Sequence, residues 1–117
     1  MTASRLSRDL FVTTTGLAVP ALPVALSEAA FQRVVIDLAT WRGWKTYHVH
    51  DSRRSAAGWP DLILVRADRL LAVELKSQRG RVSTSQAAWL DALGLVPGIQ
   101  AFIWRPTHWP EIQAALR

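Results

Sequence analysis

Downstream of Ser27 the apolar residues Phe31, Val34, Val35 and Leu38 recur three and four positions apart, which predicts a helix with one buried face. Ser27 has the chemistry of an N-cap, and Gly43 falls where the helix should stop. The pattern then changes to alternation over residues 44–50, which predicts a strand, and the polar stretch 51–57 predicts a loop. Two apolar runs, 61–66 and 70–76, flank Ala67-Asp68 and form a hairpin. After a loop over 77–82, Ser83-Thr84-Ser85-Gln86 has capping-box spacing ahead of the run AAWLDAL, and Gly94 ends that second helix. A further apolar strand covers 99–104, and a short terminal helix starts near Thr107. The order helix, three strands, helix, strand, helix predicts an α/β fold with a mixed central sheet flanked by helices.

Residues 1–26 break the pattern. Arg5 and Arg8 precede an apolar stretch in the manner of a secretory signal, but Thr13 to Thr15, Gly16, Pro20 and Pro23 interrupt it. An N-terminal arm, flexible or extended across the domain, is expected for 1–26, and a single folded domain for 27–117.

The hairpin carries charge where a core strand should not. A two-residue turn at Ala67-Asp68 pairs Arg66 with Arg69, and a four-residue loop closed by Val65 and Leu70 has the same register. Continuing the ladder, Ile63 faces Ala72 and Asp61 faces Glu74, with Cβ atoms expected about 4.5–5.5 Å apart. Lys76 shares the face of Glu74, while Leu71, Val73 and Leu75 point to the other. Opposed carboxylates destabilise a sheet, so something positive must offset them. Lys76 could do so as an ion pair, or a divalent cation could be held by the two carboxylates. The approach to Asp61 is also specified: Gly58 permits unusual backbone, and Pro60 biases Trp59 toward an extended shape at the strand's mouth.

Glu28 on the first helix, G-x-P-D as Gly58-Trp59-Pro60-Asp61, E-x-K as Glu74-Leu75-Lys76, and Gln86 opening the second helix together resemble the virus-type replication-repair nuclease (VRR-NUC) domain. That family is a compact branch of the PD-(D/E)xK phosphodiesterases, and the resemblance spans roughly residues 27–94. It implies a restriction-endonuclease-like core and a metal-dependent DNA endonuclease acting on four-way junctions or other branched DNA, as a homodimer. Asp61, Glu74 and the main-chain carbonyl of Leu75 would bind Mg²⁺ or Mn²⁺, and Glu28 would join them, through water or by orienting a ligand. Lys76 would hold and help deprotonate the attacking water, and Gln86 would steady Lys76 or the scissile phosphate. Glu28 has a second explanation in the helix macrodipole, and Gln86 a second one in the capping box. A restriction-like or nicking nuclease, or a DNA-binding module without turnover, would share most of these features.

Composition narrows the rest. The chain of 117 residues is half apolar, enough for one modest core. The lack of cysteine excludes a disulfide framework and fits a cytoplasmic, non-secreted protein. A net charge of +5 and a pI of ≈ 11.1 favour a polyanionic partner such as DNA, and no run suits a membrane. Arg53 and Arg54 before the G-W-P-D turn, and Arg79 and Arg81 after E-x-K, should emerge at one edge of the sheet as phosphate ligands or as solvated loop residues. Only Lys45 and Lys76 among the 14 basic residues are lysines, and a compact ammonium suits contact with one water. His48 and His50 have i, i+2 spacing but no visible third metal ligand.

Overall fold

The computed structural model describes residues 21–49 and 55–117. Helix α1 (Glu28–Trp41) is capped by Ser27, whose hydroxyl accepts the N–H of Ala30 at 3.1 Å. It buries Phe31, Val35, Leu38 and Ala39, and it ends where Gly43, at φ +87°, turns the chain toward the sheet. Strands β1 (Lys45–His48), β2 (Leu62–Arg66) and β3 (Arg69–Leu75) form an antiparallel meander. Helix α2 (Thr84–Gly94) then carries the chain over to β4 (Ile99–Trp104), which lies parallel to β3, as a parallel pair requires. A 3₁₀ turn (Pro106–His108) leads into α3 (Trp109–Ala115). Among the described residues the sheet order is β1-β2-β3-β4, a mixed sheet with helices on it, as the periodicity predicts.

The hairpin register is the one obtained by counting outward from Ala67-Asp68: Arg66 opposes Arg69, Ile63 opposes Ala72, and Leu62 opposes Val73. The strand ends differ by a residue or so from expectation, with Asp61 just ahead of β2 and Lys76 just beyond β3. Ala67 takes φ +54° at the hairpin tip, where most side chains are disfavoured and glycine is not.

β3 is covered on both faces. Leu71, Val73 and Leu75 join Leu62, Leu64 and Trp104 in one cluster with α1 and with Trp109, Ile112 and Leu116 of the C-terminal segment. Leu22 and Leu26, within the stretch expected to be an arm, pack against this cluster. On the second face α2 lies close enough that a Cβ on Gly94 would touch Cβ of Ala101 at 3.6 Å, and Ala72 and Glu74 are buried there.

Several basic side chains that would count toward a polyanion surface are used inside the fold. Arg42 donates to the carbonyl of Gln113 at 2.6 Å, Arg69 to Ala115 at 2.9 Å, and Arg66 to Arg117, while the Trp44 indole donates to Leu116 at 3.0 Å. These donors cap the carbonyl end of α3, where cations are favoured. The Arg66 and Arg69 guanidinium groups also lie 4.8 and 4.9 Å from the centre of the Trp44 ring. Of the six tryptophans, Trp44, Trp104 and Trp109 are buried, whereas Trp41 is 75% exposed.

Candidate active site

The turn before β2 is built against α2. Gly58 has φ +86°, and a Cβ there would lie 2.4 to 2.7 Å from main-chain atoms of Ser85 and Gln86. Glycine is therefore required both for the turn and for the close approach of the helix N-terminus. The next residue, Trp59, meets Trp89 of α2 edge-on, with ring centres 5.0 Å apart. Pro60 is buried, and the chain delivers Asp61 to the edge of β3.

Asp61 Oδ2 accepts the Leu75 N–H at 3.0 Å, so the carboxylate takes the place of a ladder carbonyl. The register of β2 and β3 extends to oppose Asp61 to Glu74. Glu74 is 1% exposed. Its Oε2 accepts from Gln86 Nε2 at 2.7 Å and faces Lys76 Nζ at 3.4 Å. Its Oε1 is buried and has no hydrogen-bond partner among the described residues. When both carboxylates are ionised no proton bridges them, so a donor or a cation must come from elsewhere. Burial first, and then the Asp61 carboxylate beside it, push the Glu74 carboxyl up to about 7, against the opposing pull of Lys76.

Of the two explanations of Gln86, the structure shows the capping box, and it adds a contact to Glu74. The Gln86 Oε1 accepts the Ser83 N–H at 2.8 Å in a complete capping box, which turns Nε2 toward Glu74. The contact is with Glu74, not with Lys76. Glu28, the first residue of α1, is exposed at the rim of a cleft of ≈ 320 Å³ that Trp59, Asp61, Glu74, Lys76 and Gln86 also line. Its helix position and its place in the cleft are compatible. Among the described residues no three His, Asp or Glu side chains converge as a ready-made metal cage. Arg79 and Arg81 are both exposed on the loop after β3. Arg53, Arg54 and His50 lie outside the described residues.

The donor set suits a hard divalent cation: two facing carboxylates, one with a buried oxygen lacking a partner, and the Leu75 carbonyl, which leaves the strand on the edge that bears its N–H. Glu74 also yields a pH test. A folded-state pKa of about 7, above the ordinary 4.5, contributes stability that is fully present below 4.5 and is lost as pH rises through 7. In EDTA, Glu74→Gln should gain on the wild type between pH 5 and pH 8 by up to about 3 kcal/mol. Urea unfolding of both proteins at the two pH values measures this, and parallel pH dependences would show that the carboxyl is not perturbed.

A buried glutamate two residues ahead of a lysine, opposite an aspartate at the end of the central strands of a mixed sheet, is the arrangement that resembles the PD-(D/E)xK phosphodiesterases. The chain belongs to the VRR-NUC family: the family model matches residues 6–103, from ahead of α1 into β4. VRR-NUC domains are nucleases. No curated protein and no solved structure matches the chain. No helix among the described residues is long and apolar enough to cross a membrane.

Two features have no signal in the local sequence. One is the contact of Gly58 with α2. The other is Arg105, directly after β4, whose Nη1 donates to the carbonyls of Ser77, Gln78 and Gly80.

Proposed function

We propose that this chain is a DNA endonuclease that requires Mg²⁺ or Mn²⁺ and hydrolyses phosphodiester bonds inside the cell. The observation that carries this reading is the buried Glu74 carboxylate facing Asp61 with Oε1 lacking a partner, an arrangement that costs stability unless a cation offsets it. Asp61, Glu74 and the Leu75 carbonyl would hold that cation, with Glu28 reaching it through water. When bound, it supplies positive charge to the reacting phosphate and makes water more acidic. Gln86 keeps Glu74 in one orientation through its 2.7 Å bond. Lys76, once Glu74 is engaged, directs its ammonium at the attacking water, orienting it and stabilising the hydroxide that is left when solvent takes the proton. Arg79 and Arg81, together with Arg53 and Arg54, would grip flanking phosphates.

A preference for branched DNA and assembly as a homodimer with two sites complete the proposal; both are supported by the family resemblance. The test is cleavage of linear duplex, flap and four-way junction substrates with Mg²⁺, Mn²⁺ or EDTA, alongside sedimentation to determine mass. Metal-dependent cutting of the junction above the duplex is expected. A protein that binds all three substrates and cuts none would be a binding module. In the same series, Arg79→Ala and Arg81→Ala should each reduce the salt slope of DNA affinity by about one. Unchanged slopes would return these arginines to solvent.

A further inference from the structure

We infer that Arg105 is a positioning residue for Lys76, acting through the loop of residues 77–80; this rests on the nuclease reading and deepens it. The last rung of the parallel ladder ties the Lys76 N–H to the Trp104 carbonyl at 3.0 Å, so the main chain of the lysine is held by β4. Its side chain, on a flexible four-carbon stem, needs a further constraint to stay at one point.

The loop supplies that constraint. It folds back on itself, the Gly80 N–H donating to the Ser77 carbonyl at 3.1 Å. A Cβ on Gly80 would lie 3.4 Å from Lys76 Cδ and 3.1 Å from Ser77 Oγ, so Gly80 stands within one carbon's reach of the lysine stem. The Lys76 side chain is only 13% exposed, and its ammonium lies 3.4 Å from Glu74 Oε2.

The loop is in turn held from β4. Arg105 Nη1 donates to Ser77 O at 2.8 Å, Gln78 O at 3.2 Å and Gly80 O at 2.7 Å, and Gln78 Oε1 accepts the Thr107 N–H at 3.1 Å. One nitrogen with two hydrogens serves three carbonyls, so one of these bonds is shared. Arg105 is itself fixed by its main chain, whose N–H donates to His108 Nδ1 at 3.0 Å. The chain of contact therefore runs from the guanidinium to three carbonyls, from Gly80 to the lysine stem, and from the stem to the ammonium.

Lys45 and Lys76 are the two lysines of the chain, and Lys45 is exposed on β1, so an amine-acetylating reagent read by mass spectrometry has an internal reference. In Arg105→Met the ratio of Lys76 to Lys45 acetylation should rise several-fold, and in Arg105→Lys, whose ammonium offers three donors, it should stay near wild type. Arg105→Gln replaces the methionine variant if melting shows that the latter does not fold. In the cleavage assay Arg105→Met should lower kcat by roughly 10–100-fold, as removal of an outer support does, with little change in KM. Added to Lys76→Met, it should lower kcat no further, because a residue that acts through another shows no separate effect. An unchanged acetylation ratio in Arg105→Met, or losses that multiply in the double variant, would overturn the inference. A raised ratio with Lys76→Met cutting at the wild-type rate would instead sink the role given to Lys76 in cleavage, leaving the support by Arg105 in place.

Discussion

Lys76→Met should keep the response of the protein to Mg²⁺ or Mn²⁺ and lose cleavage by roughly 10²–10³-fold, the range for removal of one preorganised donor that stabilises developing charge. Glu74→Gln should lose both. The two residues sit on one strand face, with Nζ and Oε2 3.4 Å apart, yet they would act on different partners: the carboxylate on the cation and the ammonium on water. In thermal melts, metal at a hundred times its dissociation constant should stabilise the wild type and Lys76→Met by about 2.7 kcal/mol, and Glu74→Gln hardly at all. In EDTA at pH 8 the shifts have opposite signs. Glu74→Gln removes one of two opposed charges while keeping the shape and an acceptor for Gln86, so it should melt above wild type. Lys76→Met removes the cation that partly offsets the pair, so it should melt below. A Lys76→Met protein that cuts DNA normally would refute its catalytic role. A Glu74→Gln protein that still gains stability from metal would move the cation elsewhere.

The second large effect concerns a residue that carries no functional group. Gly58→Ala should destabilise the domain by about 2–5 kcal/mol, combining about 1–2 for a side chain in the left-handed region with about 1–3 for overpacking. The overpacking arises because the new Cβ would lie 2.4 Å from the Ser85 carbonyl carbon and 2.7 Å from the Gln86 nitrogen, and main chain in a helix cannot step aside alone. A loss of that size is a large fraction of the stability of a small domain. What yields is the N-terminus of α2, and with it the Gln86 amide that holds Glu74, so metal binding should weaken as well. Gly98→Ala is the control: Gly98 has φ +87°, but a Cβ there would meet nothing within 4 Å, so only the conformational cost applies and the site is untouched. Urea unfolding of both variants, with metal titrations, separates the contributions. Equal costs would mean that the helix gives way freely and that Gly58 serves only the turn.

The elements and the hairpin register were legible because each depends on neighbours a few residues away. Ser27 and Ser83 bond to N–H groups three positions on, and the strand period of two, started from a short turn, leaves one register that buries Leu62, Leu64, Leu71 and Val73. The opposition of Asp61 and Glu74 follows from the same count, so the centre of the candidate site was readable before any packing was known. Packing alone decided what surrounds it. No period in the sequence marks Gly58 as the seat of α2, or lets one amide of Gln86 serve a helix cap and a buried carboxylate together. Nor does any spacing show that Arg42, Arg66 and Arg69 are occupied by the end of α3, so that the net charge overstates the cations free to meet DNA. Local patterns encode the geometry of single elements. Contacts between elements depend on how two surfaces meet once water has been excluded, and that meeting joins residues whose separation along the chain follows no rule.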